Sequence, residues 1–150
     1  MASVLDVAKY IIENLGETTT MKLQKLVYYS QAWSLAWDGV PLFNEDFEAW
    51  ANGPVCRELY NEHRGIFTVQ STSFLAGRNI TGLFTDAELE TMDVVLHDYG
   101  NKEARWLSEL THKERPWRET RGNTPLGERS NAIIPKELML EYYAGLLADG

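Results

Sequence analysis

Apolar residues occupy nearly every face of the segment from Met21 to Trp37, so one predicted helix organises the chain. Leu23 and Val27 recur at helical spacing, and Tyr28 and Ala32 fill the other side. A helix that is apolar all round is expected at the centre of a globular domain. It is not expected to cross a membrane, because four polar residues interrupt it: Lys22, Gln24, Lys25 and Gln31.

The residues on either side of this helix predict a first helix, a strand and a turn. A capping box at Ser3–Asp6 begins the first helix. Phe47–Trp50 alternates apolar and polar residues, as a half-buried strand does. Asn52–Pro54 is a turn sequence, and proline suits the first turn of a helix. A further helix is therefore predicted to begin at Pro54 and to continue to Arg64.

The second half of the chain predicts more helix, a further strand and a long loop. Ile66–Val69 is a strand candidate that would pair with Phe47–Trp50. Thr85–Glu88 is a full capping box that begins another helix. Thr111–Asn131 is polar and contains Pro and Gly, so it is predicted to be a long loop before a final helix that begins at Pro135. We therefore expect an α+β fold, mainly helical, with about five to six helices and a small antiparallel β-sheet.

Length, composition and charge indicate one globular domain over residues 1–150 and exclude several classes of partner. The net charge of −8 argues against binding to nucleic acid, which needs clustered Lys and Arg, and against an anionic membrane surface. It permits a basic protein partner. Because the chain has one cysteine and no signal peptide or long apolar run, we expect a cytoplasmic protein.

The basic residues are unevenly distributed, since seven of the 14 Lys and Arg residues lie between residues 101 and 129. Two interpretations stay open: a solvated loop of mixed charge, or a docking loop with Arg and Trp anchors. The turn Trp50–Pro54 either packs as part of the scaffold or seats a partner. The polar cluster of His112, Glu114 and Trp117 likewise either packs locally or contacts a partner.

The residue spacings do not predict a catalytic or metal site. Cys56 and His63 are seven residues apart on a predicted helix, which separates them by about 10 Å, too far for a nucleophile and its base. A small hydrolase using Cys56 or His112 is kept as an alternative that mutation would test. The three histidines lack the spacing of a zinc site, and no phosphate-binding glycine motif is present. We expect no enzyme activity, no metal and no cofactor.

Gln24 and Gln31 stand seven residues apart on the otherwise apolar central helix. Buried polar groups need hydrogen-bond partners. One interpretation is an interhelix hydrogen-bond network, with Tyr29 and Ser30 as candidate partners, and the other is a polar groove that receives a segment of a partner protein.

Two long stretches carry a family resemblance, KLQKLVYYSQAW (22–33) and FEAWANGPVCRELY (47–60). Shorter pieces agree in the expected order: Tyr99-Gly100, Leu107–His112, Pro116-Trp117, Ile134 and Tyr142-Tyr143. The chain resembles the Panacea, or SocA-like, antitoxin domain family of bacteria, phages and mobile elements. The resemblance covers nearly the whole chain.

By this resemblance the chain is expected to be an antitoxin-like binding protein of a toxin–antitoxin system. It would neutralise a cognate protein toxin by direct contact, and the polar groove at Gln24 and Gln31 would then receive a segment of that toxin. One branch of the family delivers its toxin to the ClpXP protease, so a proteolytic adaptor is an alternative. A phage accessory protein that binds a host factor is another. Partner contact is expected from eight aromatic, polar and charged residues: Trp50, Asn52, Arg57, Tyr60, His112, Glu114, Trp117 and Arg118.

Overall fold

The computed structural model describes residues 1–149, in which seven helices surround two small antiparallel sheets. The helices are α1 (Val4–Leu15), α2 (Thr20–Asp38), α3 (Arg57–His63), α4 (Asp86–Tyr99), α5 (Ala104–Lys113), α6 (Arg115–Arg121) and α7 (Lys136–Asp149). The strands are β1 (Thr18–Thr19), β2 (Phe47–Trp50), β3 (Gly53–Cys56), β4 (Thr68–Val69) and β5 (Ile133–Ile134). The expected α+β class is confirmed.

Helix α2 is the centre of the molecule, as its apolar pattern predicts. It packs against α1, α4, α5 and α7 and against β3. Thr19 caps its first turn by accepting a hydrogen bond from the Lys22 amide. Gly39 ends it in the left-handed conformation, with φ 71°. Because neighbours cover every side, polar residues inside α2 are buried as fully as the apolar ones.

Helices α1 and α4 begin at the capping boxes that the sequence predicts. The side chains of Ser3 and Asp6 exchange hydrogen bonds with each other's backbone amides at the start of α1. Thr85 and Glu88 do the same at the start of α4. Each box satisfies amides that have no partner within their own helix. Both starts are therefore signalled by local sequence, and at α1 the distant Arg78 adds an ion pair to Asp6 at 2.8 Å.

The strand pairing differs from the prediction at two places. Gly53–Cys56 is strand β3, which pairs antiparallel with β2, so Pro54 lies in a strand and does not begin a helix. The helix α3 begins only at Arg57. Strand β4 pairs with β1 and not with Phe47–Trp50, whose second neighbour is β5. In both cases the pairing partner is distant in sequence, and local turn signals do not identify it.

The segment predicted as a long loop contains a helix, so the predicted count of five to six helices is wrong. Helix α5 continues to Lys113, and α6 begins at once with Pro116 in its first turn. Trp117 and Arg121 lie one helical turn apart and are both buried. The composition of the segment does not reveal this helix, because α6 is short and because one of its inward-facing residues is an arginine.

None of the helices within residues 1–149 is long and apolar enough to span a bilayer.

Candidate functional site

The hairpin formed by β2 and β3 (Phe47–Cys56) is held by polar side chains of the central helix. The Gln24 side-chain oxygen accepts from the Cys56 amide at 2.9 Å, and its nitrogen donates to the Cys56 carbonyl at 3.2 Å. Gln31 holds the segment before the hairpin in the same way, bonding the Leu42 amide and the Phe43 carbonyl at 2.7 and 2.8 Å. Both glutamines are therefore in hydrogen-bond networks, one of the two interpretations left open, but their partners are backbone groups of the hairpin and of the segment before it. Tyr29 and Ser30, the candidate partners, bond Glu114 and the Leu26 carbonyl instead.

The other side of the hairpin turn is held by α5 and α6. Arg121 donates to the Ala49 carbonyl at 3.0 Å, and the Trp117 indole donates to the Trp50 carbonyl at 2.8 Å. The Ser108 hydroxyl donates to the Asn52 carbonyl. Three carbonyls of one turn are thus satisfied by side chains from about 60 residues later. The turn is positioned rigidly relative to the helical core.

Lys25 lies beneath this turn with almost no exposure to solvent. Its side chain is 1% exposed, and its Nζ donates to the Pro54 carbonyl at 3.2 Å. No carboxylate in the described part of the chain is within ion-pair distance of it. Burial therefore lowers the pKa of Lys25 to about 7.

A cleft of about 400 Å³ opens above Lys25. Its floor includes Gln24, Lys25 and His63, and its walls include Trp50 and Tyr60. The Trp50 and Tyr60 rings meet edge to face, with centroids 4.9 Å apart. The cleft is large enough for a side chain or a small molecule.

Two arginines lie against the Trp50 ring. The guanidinium carbons of Arg57 and Arg129 are 5.3 and 5.6 Å from its centroid. Arg57 also forms a two-point ion pair with Glu48, at 3.0 and 3.1 Å, and Glu48 accepts from the Trp50 indole at 2.8 Å. The aromatic wall is therefore fixed in orientation, with Arg57 neutralised by Glu48 and with Arg129 as the second cation beside the ring.

His63 is neutral in this arrangement. Gln24 already uses its oxygen for the Cys56 amide, so its nitrogen must donate to His63 Nε2, which lies 3.0 Å away. A histidine that accepts at Nε2 carries no charge. Burial and the nearby Lys25 lower the pKa of His63, in agreement with the hydrogen bond.

Cys56 is not arranged as a nucleophile. The thiol is buried, and burial raises its pKa to about 12, so it remains protonated near neutral pH. Cys56 and His63 both contact Gln24, but the thiol has Glu58 as its neighbour at 3.5 Å, which disfavours a thiolate further. Within residues 1–149, no three His, Cys, Asp or Glu side chains converge in a way that would hold a metal ion.

The eight residues predicted for partner contact fall into two groups. Trp50, Tyr60 and Asn52 line the cleft, and Arg57 lies beside Trp50. Of the second group, Arg118 is exposed. The remaining three lie in the interior or against it: His112, Glu114 and Trp117.

Two of the interior residues, Trp117 and His112, lie behind the hairpin turn, and Glu114 lies in the core. Trp117 is 3% exposed and carries the hydrogen bond to the hairpin turn. His112 stacks on Trp117, with ring centroids 4.0 Å apart. Glu114 is 7% exposed and accepts from the hydroxyls of Tyr29 and Tyr143 at 2.7 and 2.8 Å. A partner has no direct access to Glu114 or Trp117 in this conformation.

Burial of Glu114 predicts a specific dependence of stability on pH. Desolvation raises the pKa of its carboxyl, and the two tyrosine hydroxyls only partly offset this. The folded protein therefore holds this proton more tightly than the unfolded chain does. The corresponding stability is fully present below the ordinary pKa of about 4.3 and is lost as pH rises through the raised folded value.

We expect Glu114→Gln to remove this loss, because a neutral amide oxygen still accepts from both tyrosines. The variant should gain stability relative to the parent as pH rises above the ordinary carboxyl pKa of about 4.3. Urea unfolding at several pH values measures this, with Glu141→Gln, at an exposed position on α7, as the control. Parallel curves for the parent and the Glu114 variant would contradict it.

The sequence interpretation missed four residues that shape the site: Lys25, Ser108, Arg121 and Arg129. A signal was available for Lys25, because a charged residue in a helix that is apolar all round must be buried. The other three depend on where α5, α6 and the segment after α6 pack, for which the local sequence carries no signal.

The chain was compared with protein-family models, curated proteins and solved structures. Residues 23–118 match the family described as the SocA-like antitoxin, Panacea domain. Neither the curated proteins nor the solved structures contain a significant match. The matched range begins within α2 and ends within α6, so it includes the hairpin and the cleft floor but not Arg121 or Arg129. The chain belongs to the Panacea domain family of SocA-like antitoxins.

Proposed function

We propose that this chain is a non-enzymatic, single-domain antitoxin that neutralises a cognate protein toxin by direct contact. The observation that carries the proposal is the family match over residues 23–118. The buried, protonated Cys56 supports a binding role over a nucleophilic one. The toxin would be bound in the cytoplasm of a bacterium that carries the gene on its chromosome, a phage or another mobile element.

The surface around the cleft is the best candidate for the toxin interface. Trp50, Arg57 and Tyr60 are of the residue types enriched in binding hot spots. Exposed apolar residues continue the surface. Met21 lines the cleft and is 37% exposed, and Phe67 is 77% exposed, with its carbonyl bonded to the Thr20 amide 2.9 Å away. An exposed apolar surface next to polar anchors is typical of an interface.

The proposal is tested by purifying the tagged chain from its native host and identifying bound proteins. We expect one stoichiometric protein that is toxic when expressed alone and harmless when expressed with this chain. Recovery of an unfoldase with the pair would favour the proteolytic adaptor, and a host factor in place of a toxin would favour the phage accessory protein. Recovery of no specific protein from a host that expresses the neighbouring gene would contradict the antitoxin assignment.

Replacement of Phe67 by Asp is expected to weaken binding of the co-purified protein at least about tenfold, because it places a charge within the apolar part of the interface. The fold should be unaffected, since the ring is 77% exposed. Titration calorimetry with the purified pair measures the affinity. Leu83→Asp is the matched control, since Leu83 is 43% exposed and does not line the cleft. Equal affinities for the parent and the Phe67 variant would place the interface elsewhere.

A further inference from the structure

The cleft above Lys25 has an unusual charge composition for this protein. None of its 12 lining residues is Asp or Glu, although the chain contains 22 of them and has a net charge of −8. Four other surface clefts each include at least one carboxylate, such as Glu13, Asp86, Asp38 or Glu62. The charged residues that line this cleft are Lys25 and Arg129. The cleft is thus a positive site on an acidic surface.

The ammonium of Lys25 has unused hydrogen-bonding capacity. An ammonium has three donors, and the Pro54 carbonyl is its single acceptor within residues 1–149. The charged and titratable side chains around it offer no compensation. His63 accepts from Gln24 and is neutral, and His112, which Lys25 also influences, can be only neutral or positive. An uncompensated buried charge is costly, so a ligand that brings a negative charge here would stabilise the ammonium form of Lys25.

We propose that this cleft receives a carboxylate of the partner protein, with Lys25 as the residue that binds it. The carboxylate belongs to an Asp, a Glu or a chain end, and it is presented beside an apolar side chain that packs against the paired rings of Trp50 and Tyr60. This inference rests on the proposed function for the identity of the partner, but the preference for a carboxylate depends on the cleft alone.

The shape of the cleft agrees with such an occupant. Its volume of about 400 Å³ is small for a folded element and sufficient for one or two side chains. Met21 and Trp50 provide apolar contact, and the Asn52 side chain is an exposed polar group at the rim. Arg129 adds positive charge on the approach to the floor. A buried, charge-assisted hydrogen bond is the kind of contact that truncation weakens strongly.

A matched pair of peptides tests this inference on the full chain. N-acetyl-Phe-Glu-amide and N-acetyl-Phe-Gln-amide differ in the charge of one side chain and are nearly equal in shape. Binding is followed by NMR through the Trp50 indole resonance. This resonance is assigned by its absence from the spectrum of the Trp50→Phe variant. We expect the Glu peptide to bind at least about tenfold more tightly than the Gln peptide. In Lys25→Met the ratio should fall to about one, while Arg129→Gln should keep most of it.

Three results would overturn the inference: equal affinity of the two peptides for the parent, a preference for the Glu peptide that survives in Lys25→Met, or no binding of either peptide. Lys25→Gln provides a second, polar variant in case the methionine variant perturbs the cleft. Failure of the proposed function is distinguishable, because absence of a co-purified toxin would leave the peptide preference intact. A co-purified toxin that binds the parent and Lys25→Met equally would reject the role of Lys25 while keeping the antitoxin assignment.

Discussion

Replacing Lys25 with methionine should raise the free energy of unfolding at pH 7 by about 2 to 3 kcal/mol. A folded-state pKa of about 7 against an ordinary value of 10.5 corresponds to a gross cost on the order of 5 kcal/mol for the buried ammonium. Methionine keeps the length of the side chain and removes the charge. It leaves the Pro54 carbonyl without its donor, which costs about 1 to 3 kcal/mol and reduces the net gain.

The pH dependence of stability shows whether the gain in Lys25→Met comes from removal of the buried charge or from better packing of the methionine side chain. Because the folded pKa of Lys25 is below the unfolded one, the cost is fully present below about pH 7 and disappears as pH rises toward 10.5. The parent should therefore gain stability between pH 7 and 9.5, whereas Lys25→Met should not. Above pH 10 both proteins lose stability, because burial raises the pKa of Tyr29 and Tyr143 well above the ordinary value.

Denaturant unfolding from pH 6 to 9.5 measures both effects. Lys113→Met is the control, since Lys113 is exposed on α5 and its replacement should change stability by less than about 0.5 kcal/mol. A Lys25→Met protein that is less stable than the parent, or a parent whose stability is flat over this range, would refute the account of Lys25 as an uncompensated buried charge.

Replacing Gly53 with alanine should destabilise the protein by about 3 to 5 kcal/mol. Gly53 has φ 120°, a conformation that residues with a Cβ rarely adopt. A Cβ at this position would lie 2.5 Å from Lys25 Cε and 2.9 Å from Thr111 Oγ1, both inside normal contact distance. The two costs add, because backbone strain remains even if the neighbouring side chains move.

Two comparisons separate the strain from the steric clash. Gly65 has φ 81° with nothing within 4 Å of a Cβ, so Gly65→Ala should show strain alone, about 1 to 2 kcal/mol. Combining Gly53→Ala with Lys25→Ala removes the closest contact, and the double variant should be more stable than the sum of the single effects predicts. Thermal unfolding of the parent and of the four variants (Gly53→Ala, Gly65→Ala, Lys25→Ala and the double variant) suffices. Equal effects at Gly53 and Gly65 would show that the clash is unimportant.

Together these expectations describe a site that is maintained at a cost in stability. The aliphatic part of the Lys25 side chain packs directly against Gly53. The turn therefore needs a residue without a side chain at the place where the ammonium is buried. A neutral side chain at Lys25 would make a more stable domain. Retention of a costly, preorganised charge beneath an open cleft is a general mark of functional sites, since binding there restores the lost interaction energy.

Local sequence determined much of the helical framework. The capping boxes at Ser3 and Thr85, the N-cap at Thr19 and the glycine that ends α2 all act within one helical turn, so their residues predict the helix ends directly. The apolar pattern of α2 also predicted its central position, because only a helix covered on all sides tolerates it. Strand β2 was also predicted correctly, because its alternation of apolar and polar residues matches the burial of one face of the strand.

The tertiary structure alone decided the features that make the site. Pro54 lies in a strand because Phe47–Trp50 pairs with it and because Lys25 bonds its carbonyl, and neither partner is a neighbour in sequence. Trp117 and Arg121 face inward because the hairpin turn presents carbonyls to them. Hydrogen-bond satisfaction of buried groups is a long-range condition, whereas helix caps are local. The sequence therefore identified the family and the framework, and packing determined which polar residues meet in the cleft.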